Sequence, residues 1–207
     1  MIMAEEKQQF RREVAKRMFI KELAAISLSY KKDEGDQAPT YYLSPTGCEA
    51  NRVFLVGVIT DVDDIGTEKP YYRARITDST GEIYVYAGEY NPEAAGVLAD
   101  MEIPEYVAII GKVNIYTPED GDESIISLRA ERIAIVDEHT KDLWEQETAK
   151  QTDARIESML HEELSEVQQQ AASYYEVDLA EFGSSQAAPA GEIAPVNDAQ
   201  PVEQFSV

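Results

Sequence analysis

The sequence predicts a mainly β fold with flanking α elements. A five-stranded Greek-key barrel is preceded by one helix and followed by a long helix and a disordered acidic tail. Three observations predict it. Between residues 51 and 137 apolar residues alternate or run in short blocks bounded by Gly, Pro and Asp, the mark of strands joined by turns. A helix start, Asn91-Pro92-Glu93, interrupts those strands after the third. On both sides of the block the apolar spacing changes from two to three and four, the helical period.

The elements follow in chain order. Residues 1–50 hold an N-terminal basic helix and a loop with a short strand. Over 5–26, Phe10, Val14, Met18, Phe19, Leu23 and Ile26 recur at helical spacing, with basic residues between them. Gly35, Pro39, Pro45 and Gly47 then break the chain, leaving a loop with one short strand at Thr40–Leu43.

Residues 51–137 carry the barrel. Val53–Thr60 is a nearly continuous apolar run that bends or bulges at Gly57, and 61–70 is a polar loop. Tyr71–Asp78 and Glu82–Ala87 alternate on either side of Ser79-Thr80-Gly81, which makes a hairpin. The helix from Pro92 runs to about Met101. Glu105–Tyr116 is a strand around Gly111, Pro118–Glu123 an acidic turn, and Ser124–Val136 the fifth strand. A helix placed between the third and fourth strands of such a barrel is the OB-fold layout; the alternative is another small mixed β domain.

Residues 138–182 form the long helix, since 140–182 contains neither Gly nor Pro. Ile156, Met159, Leu160, Leu164, Val167, Ala171 and Tyr174 make a narrow apolar stripe along it. Such a stripe meets a partner helix or folds back on its own barrel. Ile156, Met159, Leu160, Leu164 and Val167 are the candidate partner-binding residues. Residues 183–207 are rich in Ser, Ala, Pro, Gly and acids without periodicity, and are expected to be disordered.

Composition narrows the function. The 207 residues include 18 Lys+Arg and 40 Asp+Glu, for a net charge of −22, with one Cys and two His. That inventory excludes an internal disulfide and a Cys/His zinc site, and no metal or cofactor is expected. No apolar run approaches the ~20 residues that span a bilayer, and the first residues are too charged for a signal peptide, so a soluble cytoplasmic protein without membrane contact is expected. His139, His161 and Cys48 are far apart and form no nucleophile–base set, and Asp61, Asp63 and Asp64 read as a solvated loop, so catalysis is not expected. The charge is also uneven. Residues 1–32 hold eight basic residues against four acids, whereas 137–207 hold 16 acids against three basic residues.

The strongest functional signal is aromatic–basic interleaving. In the hairpin, Tyr71, Arg73 and Arg75 share one face of their strand, and Tyr84 and Tyr86 share one face of theirs. If the register pairs them, they form one outward patch on the barrel face where OB-folds take single-stranded nucleic acid. Rings would stack on bases and arginines would meet phosphates. Lys112 and Arg129 add charge from the later strands. The same residues also suit an exposed sheet that binds nothing, because Tyr and Arg pair well across strands.

The chain resembles the archaeal replication protein A-associated proteins. The resemblance is carried by Arg12-Glu13-Val14-Ala15, Ser44-Pro45-Thr46-Gly47, Asn51-Arg52-Val53-Phe54 and Tyr72-Arg73-Ala74-Arg75. Its most specific stretch is Val85-Tyr86-Ala87-Gly88-Glu89-Tyr90-Asn91-Pro92-Glu93-Ala94-Ala95, followed by Pro104-Glu105-Tyr106-Val107-Ala108, Ile110-Gly111-Lys112 and the region from Trp144 to Glu157. It covers about residues 10–158. It implies an archaeal source, an OB-fold, a role in DNA replication and repair, and a hetero-oligomer with larger replication protein A subunits around single-stranded DNA. The alternative is a structural adaptor that makes only protein contacts in such a complex.

Overall fold

The computed structural model describes residues 13–32, 38–116, 124–161 and 163–183. Its strands are β1 (Lys16–Arg17), β2 (Leu28–Lys31), β3 (Thr40–Leu43), β4 (Glu49–Ala50), β5 (Arg52–Asp64), β6 (Tyr72–Thr77), β7 (Glu82–Ala87), β8 (Glu105–Tyr116) and β9 (Ile125–Ile135). Its helices are α1 (Ile20–Ala24), α2 (Pro92–Ala99), α3 (Glu138–Met159) and α4 (Glu166–Tyr174), with a 3-10 turn at Leu179–Phe182.

Strands β5 to β9 close a barrel. The order is β5-β6-β7-β9-β8, with β8 pairing back onto β5 and β7 running parallel to β9. With α2 between β7 and β8, this is the OB-fold predicted from the order of elements. Alternate residues fill the interior: Val53, Leu55 and Ile59 from β5, Ala74 and Ile76 from β6, Ile83 and Val85 from β7, Val107 and Ile109 from β8, and Leu128 and Ala130 from β9.

The first strand differs from expectation in two ways. It runs to Asp64, through residues predicted as loop, and its irregularity lies between Ile59 and Asp61 rather than at Gly57. Gly57 stays in register and serves close approach instead: a Cβ there would come within 2.4 Å of the Thr77 carbonyl oxygen.

The N-terminal segment is not the helix expected over 5–26. Residues 5–12 lie outside the described residues. Lys16 and Arg17 pair in parallel with Val53 and Phe54, and only Ile20–Ala24 is helical. Met18, Phe19 and Ile20 are consecutive and all buried, which the single apolar stripe of a surface helix cannot achieve. The short helix depends on tertiary caps. The Asp78 carboxylate accepts from the Ile20 amide (2.8 Å) and the Thr80 hydroxyl from the Lys21 amide (3.0 Å), both in the turn between β6 and β7.

Thr40–Leu43 is the strand predicted, but it is the middle of a three-stranded sheet, β2-β3-β4, within the expected loop. One face of that sheet lays Tyr42 and Ala50 on the barrel. The other lays Leu28, Tyr30 and Leu43 against Met159, Val167, Ala171, Tyr175 and Leu179.

The predicted long helix is broken. α3 ends at Met159, α4 begins at Glu166, and α4 turns back over the small sheet. The break needs no Gly or Pro because Ser165 and Gln168 form a capping box that starts a new helix. α3 itself is anchored by Trp144, whose Nε1 donates to the Phe54 carbonyl (3.2 Å) and whose ring meets Phe19 edge-on at 5.5 Å. The acidic turn expected at 118–123 and, apart from Gly183, the disordered tail expected over 183–207 fall outside the described residues. No helix among the described residues is long and apolar enough to cross a membrane.

Candidate nucleic-acid interface

The β6–β7 register pairs Arg73 with Tyr86 and Arg75 with Tyr84, so the condition set by the sequence pattern is met. The ladder continues: Tyr86 pairs with Arg129 on β9, Arg129 with Lys112 on β8, and Lys112 with Arg52 on β5. Directly paired residues point to the same side of a sheet. Arg73, Tyr86, Arg129, Lys112 and Arg52 therefore form one outward row round the barrel, and Asp63 starts it opposite Arg73.

The row has two ends of different chemistry. At one end the arginines are neutralised. An Arg73 Nη donates to Asp63 at 2.9 Å, and Arg75 lies 3.9 Å from both Asp61 and Glu82. The hydrogen bond to Asp63 raises the Arg73 pKa further, so the guanidinium stays charged beside its carboxylate. Both guanidinium groups lie over the Tyr84 ring, at 5.1 and 5.8 Å from its centre, and leave it only 9% exposed. Tyr84 is thus a floor beneath the arginines and offers no open ring. The Nε atoms of Arg73 and Arg75 are buried without a hydrogen-bond partner among the described residues.

Beyond that end, from Tyr86 to Lys112, the groups are open. Tyr71 stacks on Tyr86 with centroids 5.8 Å apart and planes 18° from parallel. Burial raises the pKa of both phenols, and the Arg129 charge opposes the shift at Tyr71. Arg129 acts on Tyr42 in the same sense, from the small sheet on the other side. Arg129 is exposed and Lys112 half-buried, and neither has a carboxylate partner among the described residues. Arg52 is held by both carboxylate oxygens of Glu131.

The structure places Tyr71, Arg73, Arg75, Tyr84, Tyr86, Lys112 and Arg129 on this face of the barrel, and gives Arg73 and Arg75 carboxylate partners that the sequence reading did not name. Asp61 and Asp63 have the same two-residue spacing as Arg73 and Arg75. That spacing is a strand signal, and a first strand extended to Asp64 would have exposed it. Tyr42 has no such signal, since its place beside Arg129 depends on how the small sheet docks.

The candidate partner-binding stripe is divided. Met159 and Val167 belong to the cluster between α3, α4 and the small sheet, Ile156 and Leu164 are half-buried, and Leu160 is 75% exposed. Among the described residues no group of three His, Cys, Asp or Glu could hold a metal. Cys48 is buried, and burial pushes its thiol up to about 11. His139 and His161 are exposed.

No protein-family model matches the sequence. Intraflagellar transport protein 46 of Chlamydomonas reinhardtii is 28% identical over 97 residues, which is 44% of this chain. The match spans only 28% of that relative's length. Among solved structures the chain is similar to one from a replication protein A heterotrimer bound to ssDNA, at TM-score 0.49 and 12% identity over 70% of this chain and 98% of that one. It is also similar to the second single-stranded DNA binding protein, SSBb, of Mycobacterium smegmatis (TM-score 0.36, 18% identity, 42% and 86% covered). A third likeness is to asparaginyl-tRNA synthetase of Pyrococcus horikoshii (TM-score 0.33, 16% identity, 41% and 19% covered). All three scores are below 0.5, and the fold assignment rests on the strand order and register above.

Proposed function

We propose that this chain is a non-catalytic subunit that binds single-stranded DNA on the outer face of β6, β7, β9 and β8, within an archaeal replication protein A-like complex for DNA replication and repair. The observation that carries the reading is the open end of the row: the Tyr71–Tyr86 stack stands beside Arg129 and Lys112, two cations without carboxylate partners among the described residues. Stacked rings next to unpaired cations are what a sequence-tolerant single-strand site needs, a surface for bases and a charge for phosphates. The sequence resemblance supports the same family role. Assembly with a larger subunit would use the exposed Leu160 with its half-buried neighbours Ile156 and Leu164, because Met159 and Val167 are occupied within the chain.

A second reading is favoured by the closed end. Asp61, Asp63 and Glu82 already satisfy Arg73 and Arg75, and the chain carries a net charge of −22, which suits an adaptor that contacts only proteins. Fluorescence anisotropy of a labelled oligo-dT of about 30 nucleotides separates the two. Binding at low salt that weakens about tenfold or more in Lys112→Ala/Arg129→Ala supports the DNA-binding reading. Absence of binding at low salt leaves the adaptor.

A further inference from the structure

The turn from Gly88 to Asn91, between β7 and α2, closes with the Asn91 amide donating to the Gly88 carbonyl (2.9 Å). Gly88 lies directly under Tyr71, since a Cβ there would come within 2.6 Å of the ring's Cδ2. Two residues on, Tyr90 is 80% exposed, the most exposed aromatic ring among the described residues. Glu89, the residue before it, pairs with the Lys69 ammonium and so ties this turn to the neighbouring loop. The 65–71 loop that carries Lys69 is fixed as well. The Asp64 carboxylate accepts from the Gly66 and Tyr71 amides, at 3.0 and 3.1 Å, and the Ile65 amide donates to the Tyr71 carbonyl at 2.9 Å.

Two braced loops therefore present a bare ring and a lysine immediately past the Tyr71 end of the stack. A tyrosine this exposed contributes almost nothing to the fold through burial. Its polar tip and flat faces suit a ligand with π-faces of its own. The sheet's own rings are stacked or covered on one side, so Tyr90 is the one that offers most free surface.

We infer that Tyr90 is a further base-stacking position for single-stranded nucleic acid, so that the strand runs off the sheet past Tyr71 and onto the Gly88–Asn91 turn, with Lys69 placed for a phosphate. This rests on the DNA-binding reading above. Preorganised loops make such a position effective, because the backbone is already ordered when the base arrives and only the side chain must be fixed.

The test uses the full chain with Tyr90→Trp. The other tryptophan, Trp144, is 2% exposed and packed on Phe19, so its emission is that of a buried indole and distinct from a solvated one. Oligo-dT of about 30 nucleotides is titrated while anisotropy of the labelled oligonucleotide and emission of the new indole are followed together. Saturable quenching that tracks the anisotropy is the expected result, and Tyr90→Ala should bind about five- to hundredfold more weakly with an unchanged salt slope. A rise in anisotropy with unaltered indole emission, or full affinity in Tyr90→Ala, overturns the stacking position and leaves the barrel site standing. No rise in anisotropy in the wild-type chain overturns both.

Discussion

Two guanidinium groups cover the Tyr84 ring, and each of those groups is held by a carboxylate of the neighbouring strand. A residue with the pattern of a stacking platform is thereby converted into packing. Tyr86, one pair along, keeps its partner Tyr71 and faces Arg129, which no described carboxylate claims. The difference between the two tyrosines comes from Asp61 and Asp63. Each partly exposed ion pair is worth only about 0.2–1 kcal/mol, so a polyanion competes for those arginines at modest cost. Asp61→Asn/Asp63→Asn should therefore tighten oligo-dT binding by roughly two- to tenfold and steepen its salt dependence. Anisotropy titrations at several salt concentrations measure both; unchanged affinity would mean that Arg73 and Arg75 stay outside the DNA track.

α4 and the β2-β3-β4 sheet hold each other in place. Tyr175, just after α4, accepts hydrogen bonds from the Ser27 and Leu28 amides (3.0 and 3.1 Å) and donates to the Leu43 carbonyl (2.6 Å). One hydroxyl thus joins three backbone groups, two on strands β2 and β3 and one just before β2, to the far end of the chain. Tyr175→Phe keeps the ring and strands those groups, a loss of about 1–3 kcal/mol for unpaired polar atoms at a partly buried site. Urea unfolding should report that loss, and amide exchange should quicken in Glu166–Tyr174 while the barrel strands keep their protection. Equal acceleration throughout would show that α4 and the barrel open as one unit.

Across the whole molecule, charge works against the proposed ligand while a local cluster attracts it. The chain carries −22, and most of the described cations near the face are paired within it. Among the described residues of the row, Lys112 and Arg129 have no carboxylate partner and meet phosphates without breaking an ion pair. Each phosphate contact to single-stranded DNA contributes about −0.7 to the slope of log K against log salt, so the wild-type chain should show about −1 to −2. A slope much steeper than that would mean that Arg73, Arg75 and Arg52 also leave their carboxylates on binding. Salt also screens the chain's own negative field, which flattens the slope further.

Strand alternation was legible without the tertiary structure. The 72–77 and 82–87 strands, the 105–116 strand and the helix beginning at Pro92 all lie where their patterns put them, because each buries one face in the nearest layer. From that alternation came the barrel and the outward row of tyrosines and cations. The N-terminal segment and the C-terminal helices obeyed distant contacts instead. Glu22 has the look of a solvated helix residue, yet it is 1% exposed and accepts from Arg155 at 2.7 Å and from the Ser44 and Thr46 hydroxyls. Its partners come from two distant parts of the chain, the 44–46 turn and α3, and no local period records such convergence. The same holds for the site. Which residue faces outward is a matter of parity and can be read along the chain, whereas which cation is free depends on the carboxylates that the barrel's closure brings beside it.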